Sequence, residues 1–292
     1  MISKLILGTV QFGLNYGINN FIGKLTEHEV FNLLETAYDL GIRTLDTAEA
    51  YGDSHKIISH FQKKSNNKFN IISKYSSSNI EYPRDIIQRI KVHCFDFNVN
   101  YLEGYLFHSY IDFKNYFNKD PEILNKLNNS GLVKKIGVSV YSNDEIEELL
   151  KFKSISLIQL PFNLFDNEFQ RKEILEKVKE RNIEIHTRSV FLQGLFFKNI
   201  NTLNSNFSSL KSNLEKINNL TQNYNVEMNS LALNYVVDKK YIDKVLIGVD
   251  SINQLTKNIE SLNNVFDTNI FKKIDSIQIE NKKLLNPTNW KI

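Results

Sequence analysis

A chain of 292 residues, 41% hydrophobic and 24% charged, can bury one large α/β core or two smaller ones and has the balance of a soluble globular protein. Its formal net charge of +3 excludes the basic signature of nucleic-acid or anionic-membrane binding, which needs clustered Lys and Arg. Its single cysteine, Cys94, excludes an internal disulfide and a thiolate metal cluster, and its place between Ile90 and Phe97 in a helical pattern marks it as core.

The opening apolar run is too short for a secretory segment and no stretch is long enough to span a bilayer, so a cytoplasmic protein is expected, as a monomer or weak dimer. Leu5–Thr9 is the first strand candidate. Thr26–Leu40 reads as a helix, with Thr26 as N-cap, Glu29 closing a capping box, and Gly41 beyond its end. Thr44–Thr47, Asn70–Lys74 and Gly104–His108 are the next strands. Helices are expected around Ser54–Gln62, Arg84–Phe97 and Pro121–Asn128. Lys135–Val140, Leu157–Pro161, Glu184–Ser189 and Lys244–Val249 complete eight strands. Their helices begin at Ser142 with Glu145 as box partner, near Gln170–Glu180, around Val226–Val237, and at Ser251 with Gln254 as box partner.

Eight strand–helix units in a single domain predict an α/β fold of the (β/α)8 TIM-barrel type. An open doubly wound sheet is the alternative, but Gly8-Thr9-Val10-Gln11-Phe12-Gly13 lacks the spacing of a dinucleotide fingerprint. Residues 199–225, rich in Asn and Ser, read as an inserted helical loop. Either a lid or clamp at the catalytic face or a surface insertion fits them.

Four residues at strand ends carry chemistry. Asp46 ends strand two, Tyr51 lies in the loop beyond it, Lys74 ends strand three and His108 ends strand four. Side chains two apart on a strand share a face, so Asp46, Lys74 and His108 can all point inward. A phenol ionises near pH ~10, and a nearby ammonium lowers that value. Asp46 can keep a buried lysine charged, and a neutral histidine can donate to a carbonyl oxygen. Together they suit proton delivery to an oxygen gaining negative charge, as when hydride adds to an aldehyde or ketone. Singly, each has a plain structural reading: an ion pair, a loop anchor, a core histidine. A Schiff-base role for Lys74 is disfavoured by Asp46 beside it. No metal site is expected: His28, His55, His60 and His93 fall on helices or their edges, and His186 reads as core.

The motifs Leu45-Asp46-Thr47-Ala48-Glu49-Ala50-Tyr51-Gly52, Ser73-Lys74, Leu106-Phe107-His108, Gly131-Leu132-Val133-Lys134-Lys135-Ile136-Gly137-Val138-Ser139, Ile158-Gln159, Ser189-Val190-Phe191-Leu192-Gln193-Gly194-Leu195 and the run from Leu246 to Asn258 resemble, in this order, an aldo-keto reductase over nearly the whole chain. The resemblance implies a barrel binding NADPH, less often NADH. It implies Tyr51 as general acid, supported by Lys74 and Asp46, with His108 orienting a small-molecule carbonyl substrate. Gly8 and Thr9 would approach the nicotinamide, and Ser139 and Gln159 would contact its carboxamide. Ser189, Phe191 and Gly194 would line a pyrophosphate loop, and Gly248, Ser251, Gln254 and Asn258 would hold the adenosine end. The same fold also serves as a non-catalytic cofactor-binding subunit, which stands as the alternative function.

Several positions depart from the pattern. Val140 follows Ser139 where an amide is common. Arg188 stands where an aromatic residue stacks on the nicotinamide. It could stack there itself, bind a substrate carboxylate or phosphate, or pair with an acid at the rim. Ser109 replaces the aromatic after the histidine, which predicts a more polar pocket and a polar or sugar-derived carbonyl. Gly248 and Gln254 replace basic residues, with Asp250 nearby and Lys257 as a compensating cation. NADP(H) is expected over NAD(H). Little chain precedes strand one, so the barrel floor is expected to be open or covered by the C-terminal tail with Trp290.

Overall fold

The computed structural model describes residues 1–79 and 81–290. Its strands β1 (Leu5–Gly8), β2 (Thr44–Asp46), β3 (Asn70–Tyr75), β4 (Gly104–Phe107), β5 (Ile136–Ser139), β6 (Leu157–Pro161), β7 (Glu184–Arg188) and β8 (Lys244–Ile247) close a barrel in chain order. Every neighbouring pair is parallel, and β1 pairs with both β2 and β8, which rules out the open sheet. The helices α1 (Val10–Gly13), α2 (Glu27–Asp39), α3 (Ser54–Lys64), α4 (Ile86–Asp96), α5 (Tyr110–Lys119), α6 (Ile123–Asn129), α7 (Asn143–Leu149), α8 (Glu168–Glu180), α9 (Lys211–Asn223), α10 (Met228–Val237), α11 (Ile252–Ser261) and α12 (Thr268–Asp275) follow the strands.

The period-two alternation of the strands makes two cores. Leu5, Leu7, Leu45, Ile71, Phe107, Val138, Ile158, Ile185 and Val245 face outward and pack under the helices. Ile6, Ile72, Leu106, Leu157 and Leu246 face inward and fill the barrel as a separate apolar plug. The next inward positions, two residues on, are Gly8, Lys74, His108, Gln159 and Gly248. A dry plug therefore supports a polar layer at the C-terminal ends of the strands.

Local capping explains where helices start. Thr26 and Glu29 form the reciprocal box before α2, and Ser142 and Glu145 repeat it before α7. The box expected at α11 is displaced: Ser251 caps the Gln254 N–H at 3.2 Å, but the Gln254 side chain accepts from the Asp250 N–H at 2.9 Å. Helix α5 was not expected. Ser109 is its N-cap, accepting from the Asp112 N–H at 3.0 Å and donating to the Asp112 carboxylate at 2.8 Å.

The C-terminal tail does not cover the barrel floor, and the insertion is helical. A short 3-10 turn, Ile2–Lys4, lies at the bottom, where Lys4 donates to the carbonyls of Val237 and Lys239. The C-terminal tail runs instead on the catalytic side: Trp290 packs edge-on against Phe207 and donates to the Leu284 carbonyl, and Pro287 and Thr288 border the central cavity. Residues 199–225 form two 3-10 turns and α9.

Candidate active site

Asp46, Lys74 and His108 reach the polar layer from adjoining strands because each is level with, or two beyond, an inward apolar residue. Lys74 Nζ donates to Asp46 Oδ1 in a buried ion pair, and to the Thr47 carbonyl at 3.0 Å. Gln159 Nε2 donates to Asp46 Oδ2 at 2.8 Å, so both carboxylate oxygens are engaged. The ammonium lies 5.2 Å from the centre of the Tyr51 ring, and the Tyr51 and His108 rings meet edge-on at 5.5 Å. The four residues expected to work together thus border one space.

Their protonation follows from burial and charge. Burial first, then the fields of Lys74 and Arg188, push the His108 imidazole down to about 3, so it is neutral and can donate a hydrogen bond. Burial lowers Lys74, Asp46 opposes that, and Arg188 adds to the lowering. Tyr51 is pushed well above the ordinary phenol range by burial and then by the Asp46 charge; Arg188 pulls it back, and Tyr141 adds to the rise. Beside the Lys74 ammonium over its ring, the phenol therefore feels a second cation, Arg188, which favours the phenolate against the Asp46 charge.

The loop that presents Tyr51 is pinned from behind by Glu49, a role sequence reasoning missed. Its buried carboxylate accepts from the Ser76 N–H at 3.0 Å, Arg89 Nη1 at 2.5 Å, His93 Nε2 at 2.9 Å and the Tyr105 hydroxyl at 2.5 Å. Burial alone would raise its pKa, but the bonds from His93 and Tyr105, the His93 field and the Ser76 N–H outweigh it and hold the carboxyl below its usual range. Gly13 meets the same loop from the other side. A Cβ there would lie 1.7 Å from the Tyr51 carbonyl oxygen, so α1 can approach only as glycine.

A cavity of about 640 Å³ extends from this tetrad to the start of α11. Gly8, Thr9, Ser139, Gln159, Arg188, Ser189, Phe191, Gly194, Gly248, Gln254 and Asn258 all line it. Ser251 does not; its hydroxyl is spent on the helix cap. Residues 199–225 are not among the described residues that line the cavity. Two other loops close over the cavity. Ile18 N–H donates to the Gln193 carbonyl at 3.0 Å and Gln193 Nε2 to the Tyr16 hydroxyl at 3.0 Å. Gly194, at φ +89°, sits where a Cβ would strike Asn19 Cβ at 2.6 Å.

The wall suits a nicotinamide dinucleotide. Gln159 Oε1 is buried without a partner, an acceptor for a carboxamide N–H. Leu192, Gln193 and Gly194 all take positive φ, and the Leu192 and Gly194 N–H groups bond the Ser189 and Phe191 carbonyls, which makes a tight turn beside the cavity. Asp250 is held above its usual carboxylate range by burial, with the Gln254 and Gln11 amides pulling it back, and its Oδ1 has no partner. Among the described residues no His/Cys/Asp/Glu group could hold a metal ion.

Arg188 ends β7. Its guanidinium stacks 4.2 Å over the Tyr141 ring, Nη2 donates to the Val140 carbonyl at 3.2 Å, and buried Nε has no acceptor. Among the described residues no carboxylate pairs with it, so the rim ion pair is not formed.

Comparison with known proteins agrees with this picture. Residues 4–279 match the model of the aldo/keto reductase family. The chain is 22% identical over 298 residues to an NADH-specific methylglyoxal reductase of Escherichia coli, covering 90% of each chain. Its fold is similar to that of an aldo-keto reductase from Bacillus halodurans in its holo form, with TM-score 0.74, 18% identity and coverage of 96% and 95% of the two chains. It is also similar to that of the glycerol dehydrogenase of Gluconobacter oxydans, with TM-score 0.73, 20% identity and coverage of 97% and 93%. With a match across nearly its whole length and a strand-end site on a closed barrel, the chain belongs to the aldo/keto reductase family, oxidoreductases that work with nicotinamide cofactors.

Proposed function

We propose that this protein reduces an aldehyde or ketone to an alcohol with NAD(P)H, Tyr51 delivering the proton. The observation that carries the reading is the meeting of Tyr51, His108 and the Lys74–Asp46 pair at one end of the cavity. A bound dihydronicotinamide supplies the hydride. Neutral His108 donates to the carbonyl oxygen and fixes its direction. Protonated Tyr51 gives its proton as that oxygen becomes an alkoxide, a stronger base than the phenolate left behind. Lys74 and Arg188 stabilise the phenolate. Gly8, Thr9, Ser139 and Gln159 would hold the nicotinamide, Ser189, Phe191 and Gly194 the pyrophosphate, and Gly248, Gln254 and Asn258 the adenosine end.

The lean towards NADP(H) rests on Lys257, the lysine that borders the cavity from α11, and Asp250 opposes it. Fluorescence titration with NADPH and NADH, on the parent and on Lys257→Ala, decides the point: tighter NADH binding by the parent overturns the lean.

The function is tested by NADPH and NADH oxidation with a panel of aldehydes, ketones and keto-sugars. Tyr51→Phe is expected to lower kcat by roughly 10²-fold or more, the share of a positioned general acid. A variant as fast as the parent refutes the assignment. Tight cofactor binding with no turnover of any carbonyl by the parent would favour the non-catalytic reading.

A further inference from the structure

Arg188 borders the same cavity as the reacting groups, and among the described residues no carboxylate pairs with it. It stands near enough to Tyr51, Lys74 and His108 to act on the protonation of all three. The carboxylate that shares their space, Asp46, is already engaged by Lys74 and by Gln159. Among the described residues, Lys74 and Arg188 here face the single carboxylate of Asp46.

The guanidinium is also held in place. Tyr141 covers one face, the Val140 carbonyl takes one Nη2 hydrogen, and Ser189 Oγ lies 3.5 Å from Nη1. Its buried Nε has no acceptor among the described residues. A buried donor left unpaired costs stability, and a planar, pre-oriented fork matches a two-oxygen anion. Stacking on the nicotinamide is the poorer use of this group. Hydride loss leaves the nicotinamide ring positively charged, and a guanidinium against it would oppose that charge.

We infer that Arg188 is the anion-binding subsite for the substrate, and that the carbonyl compound reduced here carries a carboxylate or phosphate close to its reacting carbon. The inference rests on the reductase reading and names its substrate class. Its geometry is short-range: the anion and the carbonyl oxygen must be met by Arg188 and by His108 within one cavity end.

The test uses matched substrates on the full chain: glyoxylate against methylglyoxal, succinic semialdehyde against butanal, and glyceraldehyde 3-phosphate against glyceraldehyde. The parent is expected to prefer at least one anionic member by ~30-fold or more in kcat/KM, the effect of one desolvated charge-assisted contact. The phosphate and carboxylate arms tell the two anions apart. In Arg188→Met the preference should collapse towards one. In Arg188→Lys, which keeps the charge but loses the fork, it should be partly restored. A parent that reduces the neutral members equally well overturns the subsite while leaving the reductase reading intact. So does Arg188→Met weakening cofactor binding with the preference unchanged. If no carbonyl is turned over, calorimetric titration of oxamate into the cofactor-loaded protein still decides: binding by the parent and not by Arg188→Met upholds the subsite, and equal binding or none overturns it.

Discussion

Replacing Glu49 by glutamine tests whether the catalytic loop is held by the buried network behind it. The amide keeps the shape of the side chain but loses the charge, and its NH2 group must face one of the donors from Ser76, Arg89, His93 or Tyr105. Breaking a buried ion pair costs about 3–5 kcal/mol. Arg89 keeps bonds to the carbonyls of Pro83, Ser76 and Asn79, so the lower end, about 3 kcal/mol, applies. For 292 residues the unfolding entropy is about 0.6 kcal/mol/K, which converts that loss to a fall of about 5 °C in the melting temperature. The parent carboxyl lies below its usual range in the fold, so its contribution is present above the unfolded carboxylate pKa and fades as pH falls through the folded value. The gap between parent and variant should therefore narrow in acid. Because Glu49 N–H also bonds the Lys74 carbonyl at 3.2 Å, a loosened loop misplaces Tyr51, and kcat should fall by up to ~10²-fold. Differential scanning calorimetry at neutral and acid pH, with kcat alongside, reads all of this. A melting shift under 1 °C at neutral pH with unchanged kcat would refute the reasoning.

Two further substitutions probe the far end of the cavity. Gly194→Ala must adopt φ +89° and press on Asn19, so the contact between the two covering loops should loosen, with cofactor dissociation faster by stopped-flow fluorescence and the melting temperature a few degrees lower, about 1–2 kcal/mol of strain. Asp250→Ser removes a half-buried carboxylate from the wall and should shift the ratio of dissociation constants towards NADPH by roughly tenfold, which paired titrations would measure.

The barrel was legible because its signals are local. Each strand is a short apolar run, and Thr26 with Glu29 or Ser142 with Glu145 marks a helix start within four residues. The same kind of signal was present for α5: Ser109, Asp112 three residues on, and aromatic residues at 110, 113, 116 and 117. It is masked because Ser109 follows His108 and so reads as part of the pocket. The tetrad was readable because strand alternation fixes which side chains face inward. The supports were not, because they join distant segments. Glu49 meets Arg89 and Tyr105 across 40 and 56 residues, and Gln193 meets Tyr16 across 177. Nothing in the local pattern around Glu49 separates an exposed loop acid from a buried one. The helix within 199–225 was legible from its apolar spacing, but the partner it packs on was not, because Phe207 meets Trp290 from the far C-terminal tail.

The contact between the Tyr16–Asn20 segment and the Gln193–Gly194 turn has a kinetic consequence. A long ligand lying across both loops is exchanged only when the Ile18–Gln193 and Tyr16–Gln193 bonds open, whereas a small carbonyl compound need only reach the end near Tyr51. Turnover should then be ordered, dinucleotide first to arrive and last to leave, with its departure setting the pace of each cycle.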